Sequence, residues 1–246
     1  MRLICALLII CQVAVRASAV ELSADEVDAI AEIKSQGDYV EVFVDEKNGQ
    51  REFRVSLFET SDQAMMPIPR LRPCTEIVIS RSRVTDAGIE PIKHLHDLRS
   101  IHIEDTPITD AGIEYLRDLR PAFLGLTNTR ITGKGLKVIG SLGTVEHLIL
   151  DRCSIETGSY GPLSRLKKLE QLHLFQTPVL DDDLVHLVKL DKLHTLILGD
   201  TKITDLGLKQ IARIKNLSHL YLVDTKVTER GVEALRAKRP DLLVIY

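Results

Sequence analysis

Residues 193–215 read L-H-T-L-I-L-G-D-T-K-I-T-D-L-G-L-K-Q-I-A-R-I-K. The apolar set Leu193, Leu196, Leu198, Ile203, Leu208, Ile211 and Ile214 recurs, at one constant offset, as the earlier set Leu169, Leu172, Leu174, Val179, Leu184, Leu187 and Leu190. The same offset forward gives Leu217, Leu220, Leu222, Val227, Val232 and Leu235. A fixed period in this range marks a solenoid. The polar residue ahead of the turn keeps the register as Ser82, Thr106, Thr129, Cys153, Thr177, Thr201 and Thr225, with every step 24 except the 23 between Thr106 and Thr129. Seven repeats therefore run from Cys74 to Arg239.

Each repeat has two halves. L-x-x-L-x-L alternates as a short strand does, with Leu196 and Leu198 pointing one way. I-T-D-x-G-L-x-x-L-x-x-L shifts to the three-residue spacing of a helix. The helix is a crossover long enough to make successive strands parallel, and such crossovers are right-handed. One unit cannot bury its apolar face alone, so neighbours must stack. Strands sit ~4.8 Å apart and packed helices ~8–10 Å apart. The helix side is therefore wider, and the arc closes with strands on its inner face. The predicted fold class is α/β, a solenoid of parallel inner strands and outer helices.

The pattern L-x-x-L-x-L-x-x-T-x-I-T-D-x-G-L resembles the leucine-rich repeat superfamily. The nearest subtype is the T-D-x-G-L form, common in exported bacterial proteins and similar to the repeats of F-box leucine-rich proteins. The resemblance covers about two-thirds of the chain and is specific for fold. It implies a protein-binding scaffold rather than an enzyme, though a fold does not fix a function.

Residues 1–19 read as a secretory leader: Arg2, the apolar run Leu3–Val15, then Ala17-Ser18-Ala19 as a small-x-small cleavage site. The run is too short to span ~30 Å of hydrocarbon comfortably. The expectation is an exported chain, in the periplasm, the cell envelope or secreted, with no membrane span after cleavage. Net charge is −3, with 32 basic and 35 acidic residues, and removing Arg2 and Arg16 makes it more negative. That argues against nucleic acid as a partner. With aromatics at 4% and no Trp, the core must be aliphatic. Cys74 and Cys153 sit three rungs apart, ~14 Å at the strand spacing, beyond the ~7 Å limit for a bridge. Two free, unreactive thiols are expected.

Residues 20–73 read as an N-terminal cap and linker, and 74–246 as the solenoid with its C-terminal cap. In the cap, Ser23 and Glu26 form a capping box over a helix across 23–36 that Gly37 stops. Val40, Val42 and Val44 alternate, as do Phe53, Val55 and Leu57, around the hairpin signal Asn48-Gly49. Residues 60–73 read as a degenerate half-repeat or a linker. Repeat four departs from the motif at Glu156–Pro162, so its helix starts late, near Pro162. In repeat five Leu180-Asp181-Asp182-Asp183 replaces it, a carboxylate suited to the helix dipole. Arg239-Pro240 stops the last helix, and Leu242–Ile245 reads as a terminal strand with a polar outer side. The threonine hydroxyls are expected to bond nearby backbone, and Asp86, Asp110 and Asp205 to cap helices.

The residues between the leucines point to the inner face in three columns. One is Glu76, Ser100, Phe123, His147, Gln171, Thr195, His219. The next is Val78, His102, Gly125, Ile149, His173, Ile197, Tyr221. The third is Ser80, Glu104, Thr127, Asp151, Phe175, Gly199, Val223. Aromatics and isoleucines on a strand surface are the residues that carry binding energy at protein interfaces. The candidate binding residues are His102, Phe123, His147, Ile149, His173, Phe175, Ile197, His219 and Tyr221.

His147, His173 and Asp151 would offer a metal two imidazoles and a carboxylate, but no ligand-spacing motif such as H-E-x-x-H accompanies them. No G-x-S-x-G, phosphate loop or C-x-x-C is present. The reading is a non-enzymatic scaffold with no cofactor, a monomer that binds a protein partner of unknown identity. Two alternatives stand beside it. One is a structural envelope or glycan-binding protein. The other is a substrate receptor for ubiquitin ligation, as the F-box resemblance implies, although no F-box-like helical segment precedes the repeats and the leader points away from the cytosol.

Overall fold

A computed structural model describes residues 22–44 and 51–246. The leader, with Cys5 and Cys11, and the Asn48-Gly49 turn lie outside the described residues. Among the described residues the strands form one ten-stranded sheet in sequence order. β1 (Tyr39–Val44) pairs antiparallel with β2 (Arg51–Phe58). Every later neighbour is parallel: β3 (Cys74–Ser80), β4 (Ser100–Glu104), β5 (Phe123–Gly125), β6 (His147–Ile149), β7 (Gln171–His173), β8 (Thr195–Ile197), β9 (His219–Tyr221) and β10 (Leu243–Ile245). The molecule is an α/β leucine-rich repeat solenoid.

The leucines behave as their spacing predicts. Leu148, Leu172, Leu196 and Leu220 lie opposite one another on successive strands and are fully buried. Each fully buried leucine contributes ~1.5–3 kcal/mol of transfer free energy. Among the described residues the core is mainly aliphatic, with Phe53 and Tyr160 as its buried aromatics. Tyr160 stands where Leu184 and Leu208 stand in the next two repeats, so one ring fills the gap left by the broken motif. The following helix, a 3-10 turn, is late as expected, at Gly161–Arg165.

The outer layer is thinner than the sequence suggests. α1 (Ala24–Lys34) carries the predicted capping box. Behind the repeats lie α2 (Asp86–Ile89), α3 (Asp110–Glu114), α4 (Gly133–Ile139), α5 (Asp205–Ile211) and α6 (Glu229–Lys238). The other outer segments, Glu90–His94 and Asp181–Lys189 among them, are 3-10 helices. Short outer segments suit a coil whose few residues must also supply a strand and two turns.

The aspartates correct one expectation. Asp86, Asp110, Asp181 and Asp205 open their own helical segments, but their carboxylates reach the next coil. Asp86 Oδ1 accepts from Thr109 N at 2.7 Å and Oδ2 from Thr109 Oγ1 at 2.6 Å. The same pair of bonds joins Asp110 to Thr132, Asp181 to Thr204 and Asp205 to Thr228. Each of these threonines is itself a helix N-cap, its hydroxyl accepting from Ala111, Lys134, Leu206 or Gly231. The motif glycine makes room for this. A Cβ on Gly112 would lie 2.6 Å from Asp86 Oδ1, and one on Gly231 would lie 2.1 Å from Asp205 Oδ1. At repeat four the direction reverses: Glu156 accepts from Gly133 N, and Asp183 from Gly158 N.

Residues 60–73, expected as a degenerate half-repeat or linker, follow the repeat geometry. β2 lies parallel to β3, and Asp62 accepts from Thr85 N and Oγ1 at 2.6 and 2.7 Å. After each strand from β2 to β9, one non-glycine residue adopts positive φ: Glu59, Arg81, Asp105, Asn128, Arg152, Gln176, Asp200 and Asp224, with φ of 49–60°. Four of the column hydroxyls bond backbone as expected, Thr129, Thr177, Thr201 and Thr225 donating to the carbonyl three residues back, whereas the buried Thr106 hydroxyl has no partner among the described residues. Cys153 stands in for a threonine, its Sγ–H donating to Leu126 O at 2.8 Å.

Two terminal details differ from the sequence reading. Across residues 39–43 of β1 only Val40 is buried, while Val42 is exposed, because an antiparallel edge strand has the core on one side of one end only. In β10 the outer side is apolar, not polar: Leu243 and Ile245 are 52% and 39% exposed. Arg236 from α6 donates to the outward carbonyl of Val244, and Arg239 donates to the carbonyls of Ile214 and Leu217.

Candidate functional site

Strand pairing fixes which side chains share the face opposite the leucines. Glu76, Ser100, Phe123, His147, Gln171, Thr195 and His219 are successive partners in one column. Val78, His102, Gly125, Ile149, His173, Ile197 and Tyr221 form the next. Eight of the nine residues named from sequence therefore lie on one surface, and the ninth, Phe175, follows β7 with its ring against Gly199. His102, Phe123, His147, Ile149, His173, Ile197 and Tyr221 are half-buried, and Phe175 and His219 are exposed.

The face is longer than the repeats alone imply. Arg54, Ser56 and Phe58 extend the columns across β2. Leu243 and Ile245 extend them across β10, opposite His219 and Tyr221. The alternation of Leu242–Ile245 is the signal for the latter, but its outward residues lack the flanking motif that marks the other rungs.

Two glycines shape the surface. The Phe123 ring lies over Gly125, where a Cβ would stand 3.2 Å from its Cε1. The Phe175 ring lies over Gly199, where a Cβ would stand 3.0 Å from its Cδ2. The rings thus lie down on the sheet. Phe123 stacks between His102, with centroids 4.2 Å apart, and His147, 6.1 Å apart.

Charge is unevenly placed. At the β2–β4 end, Glu76 lies 3.6 Å from Arg54 and 3.9 Å from His102 Nε2, which also bonds Ser100 Oγ. Burial lowers the His102 pKa, against the pull of Glu76. Burial also lowers that of His173, helped by the neighbouring His147. Asp151 Oδ1 accepts from Phe175 N at 2.8 Å. Burial pushes the Asp151 carboxyl up to about 6, against the Phe175 bond and Arg152. Its neighbour Arg152 turns toward Glu104 and Asp105, at 3.6 and 3.9 Å.

Among the described residues no three His, Cys, Asp or Glu side chains converge closely enough to hold a metal ion. Cys74 and Cys153 are buried and unbridged. Burial pushes the Cys74 thiol up to about 12 and raises that of Cys153, so neither is a ready nucleophile. Two shallow depressions of about 540 and 440 Å³ lie at the strand ends, by Asn128, Arg130 and Arg152 and by Arg72, Thr75 and Arg99. None of the nine candidate residues lines either. No helix among the described residues is long and apolar enough to cross a membrane.

Comparison with known proteins agrees with this architecture. A sequence profile described as Leucine Rich repeat matches residues 189–212, which include most of the stretch quoted first. No curated protein matches the chain. Internalin C2 of Listeria monocytogenes superimposes with a TM-score of 0.60 at 23% identity, over 78% of this chain and 79% of that one. A leucine-rich repeat protein of Leptospira interrogans superimposes with a TM-score of 0.55 at 17% identity, over 74% of this chain and 51% of that one. At these identities the likeness is one of fold: the chain is built as a leucine-rich repeat solenoid, as those two proteins are.

Proposed function

We propose that this chain is a non-enzymatic, exported scaffold that binds a protein partner on the concave strand face of the arc. One observation carries the reading. Half-buried and exposed aromatics, isoleucines and histidines stand in register over six successive strands, β4 to β9, with the leucines between them sealed in the core. A solenoid offers a preformed, extended surface of this kind, so little ordering entropy opposes binding. Apolar and aromatic groups that have no core to join are the usual anchors of an interface. Export rests on the leader read from residues 1–19.

Affinity capture from the exported fraction tests the proposal, run with the native chain and with Phe175→Ala/Tyr221→Ala. The native chain retains a partner at stoichiometric level and the double variant loses it. Equal capture by both would remove the strand face from the account.

A further inference from the structure

The four rungs of residues 146–151, 170–175, 194–199 and 218–223 contain Glu146, Asp151 and Glu170, four histidines, and no lysine or arginine. The chain has 32 lysines and arginines in 246 residues, so about three would be expected in a stretch of that combined length. Most lie on turns and outer helices instead. The middle of the strand face therefore has one source of positive charge, the imidazoles. They stand on consecutive rungs: His147 on β6, His173 on β7, His194 just before β8 and His219 on β9.

The groups around them are few. His147 faces Phe123 and His173. His173 sits between Ile149 and Ile197 in its column. His194 Nε2 lies 3.7 Å from Glu170 Oε2, and its Nδ1 bonds Thr195 Oγ1. His219 Nδ1 bonds Ser218 Oγ. Asp151 is tied to Phe175 N, and Arg152 is turned away toward Glu104 and Asp105. Around the imidazoles lie the apolar anchors Ile149, Phe175, Ile197, Tyr221 and Val223.

Resting on the reading of this face as a docking surface, we infer that its partner presents aliphatic or aromatic side chains flanked by lysine or arginine, is held at neutral pH, and is released in acid. With neutral imidazoles the centre carries three carboxylates and no cation, which favours a cationic rim on the partner. Imidazole is the side chain that changes charge between pH 5 and 8. Protonation of imidazoles on this face adds positive charge among the carboxylates and turns the surface against a cationic rim, although burial and His147 make His173 harder to charge than an ordinary histidine. Asp151 takes up its proton over the same interval, removing one of the three. Like charges facing one another across an interface oppose association.

Two labelled peptides of about ten residues test this with the full chain, by fluorescence anisotropy at pH 7.5 and 5.0. One alternates Leu and Tyr with Lys, the other with Glu. The lysine peptide is expected to bind at pH 7.5 and weaken about tenfold or more at pH 5.0, with the glutamate peptide showing the opposite order. Glu146→Gln/Glu170→Gln weakens the lysine peptide at pH 7.5. Replacing His147, His173, His194 and His219 by Gln reduces the pH dependence to the part that Asp151 contributes, and circular dichroism verifies that each variant is folded.

A lysine peptide that binds equally at both pH values, or neither peptide binding, would overturn the inference. A glutamate peptide that binds more tightly at pH 7.5, and is displaced by Tyr221→Ala, would overturn the partner chemistry while leaving the docking face intact. Lysine-peptide binding unaffected by Phe175→Ala/Tyr221→Ala would count against the docking face itself.

Discussion

The carboxylate of Asp86 holds Thr109 of the following coil by two bonds, from the backbone N–H at 2.7 Å and from the hydroxyl at 2.6 Å. The pair acts both as a helix cap and as a bolt between coils. Its repetition explains why T-D-x-G recurs: the threonine receives the bolt, the aspartate sends the next one, and the glycine leaves space for the incoming oxygen.

Breaking the last bolt loosens the last coil. Asp205→Ala is expected to cost ~1–3 kcal/mol, the range for leaving paired donors without their acceptor. Amide hydrogen exchange should accelerate in α6 before it does in α3. The Thr228 amide and hydroxyl hold the Asp205 carboxylate below its ordinary pKa. A depressed folded pKa means this contribution is full above the ordinary carboxylate range and is lost as pH falls through the folded value.

Helix propensity and space oppose each other at Gly112. Alanine is favoured over glycine in a helix by ~1 kcal/mol, yet its Cβ would meet Asp86 Oδ1 at 2.6 Å and Ile108 Cγ2 at 2.9 Å. Overpacking of this kind costs ~1–3 kcal/mol, so Gly112→Ala is expected to destabilise in urea unfolding. Asp86→Ala/Gly112→Ala should cost less than the sum of the two single changes, because the clash is shared.

Asp151 sets a pH dependence of opposite sign to that of Asp205. Burial raises its carboxyl from 3.8 to about 6, so the folded state binds the proton more readily than the unfolded chain. Its contribution to stability therefore falls as pH rises from 3.8 through about 6. Asp151→Asn keeps an oxygen for Phe175 N and removes the charge. It is expected to raise the melting temperature at pH 7.5 by a few degrees, equivalent to ~1 kcal/mol, and to change little at pH 3.5.

The turn after each strand carries backbone strain that a substitution can expose. Arg81 sits at φ 49°, a region that costs a non-glycine residue ~1–2 kcal/mol. Arg81→Gly is expected to be neutral or stabilising by up to ~1 kcal/mol, and Arg81→Val destabilising by a similar amount, in the same unfolding assay.

The strand ladder is legible in the sequence because Leu148, Leu172, Leu196 and Leu220 repeat a buried position at a constant interval. The face columns follow, since alternation within a strand leaves the intervening residues no other side. What stays hidden involves partners from different coils. Asp86 and Thr109 meet across most of a repeat, and nothing local distinguishes a carboxylate that caps its own helix from one that caps the next. The rung at β2 is masked because Thr60 precedes Ser82 by less than the regular period, with three prolines between them. The outward Leu243 and Ile245 run against expectation because a strand that seals a core is expected to be polar outside.

Site-specific photocrosslinking in the native cellular setting tests the central claim most directly. A photoreactive side chain replaces Tyr221 on the strand face in one variant and Lys209 on the outer helix α5 in another. The account predicts that the probe at 221 captures a discrete protein partner at neutral pH and the probe at 209 does not. Capture at 209 alone would contradict it.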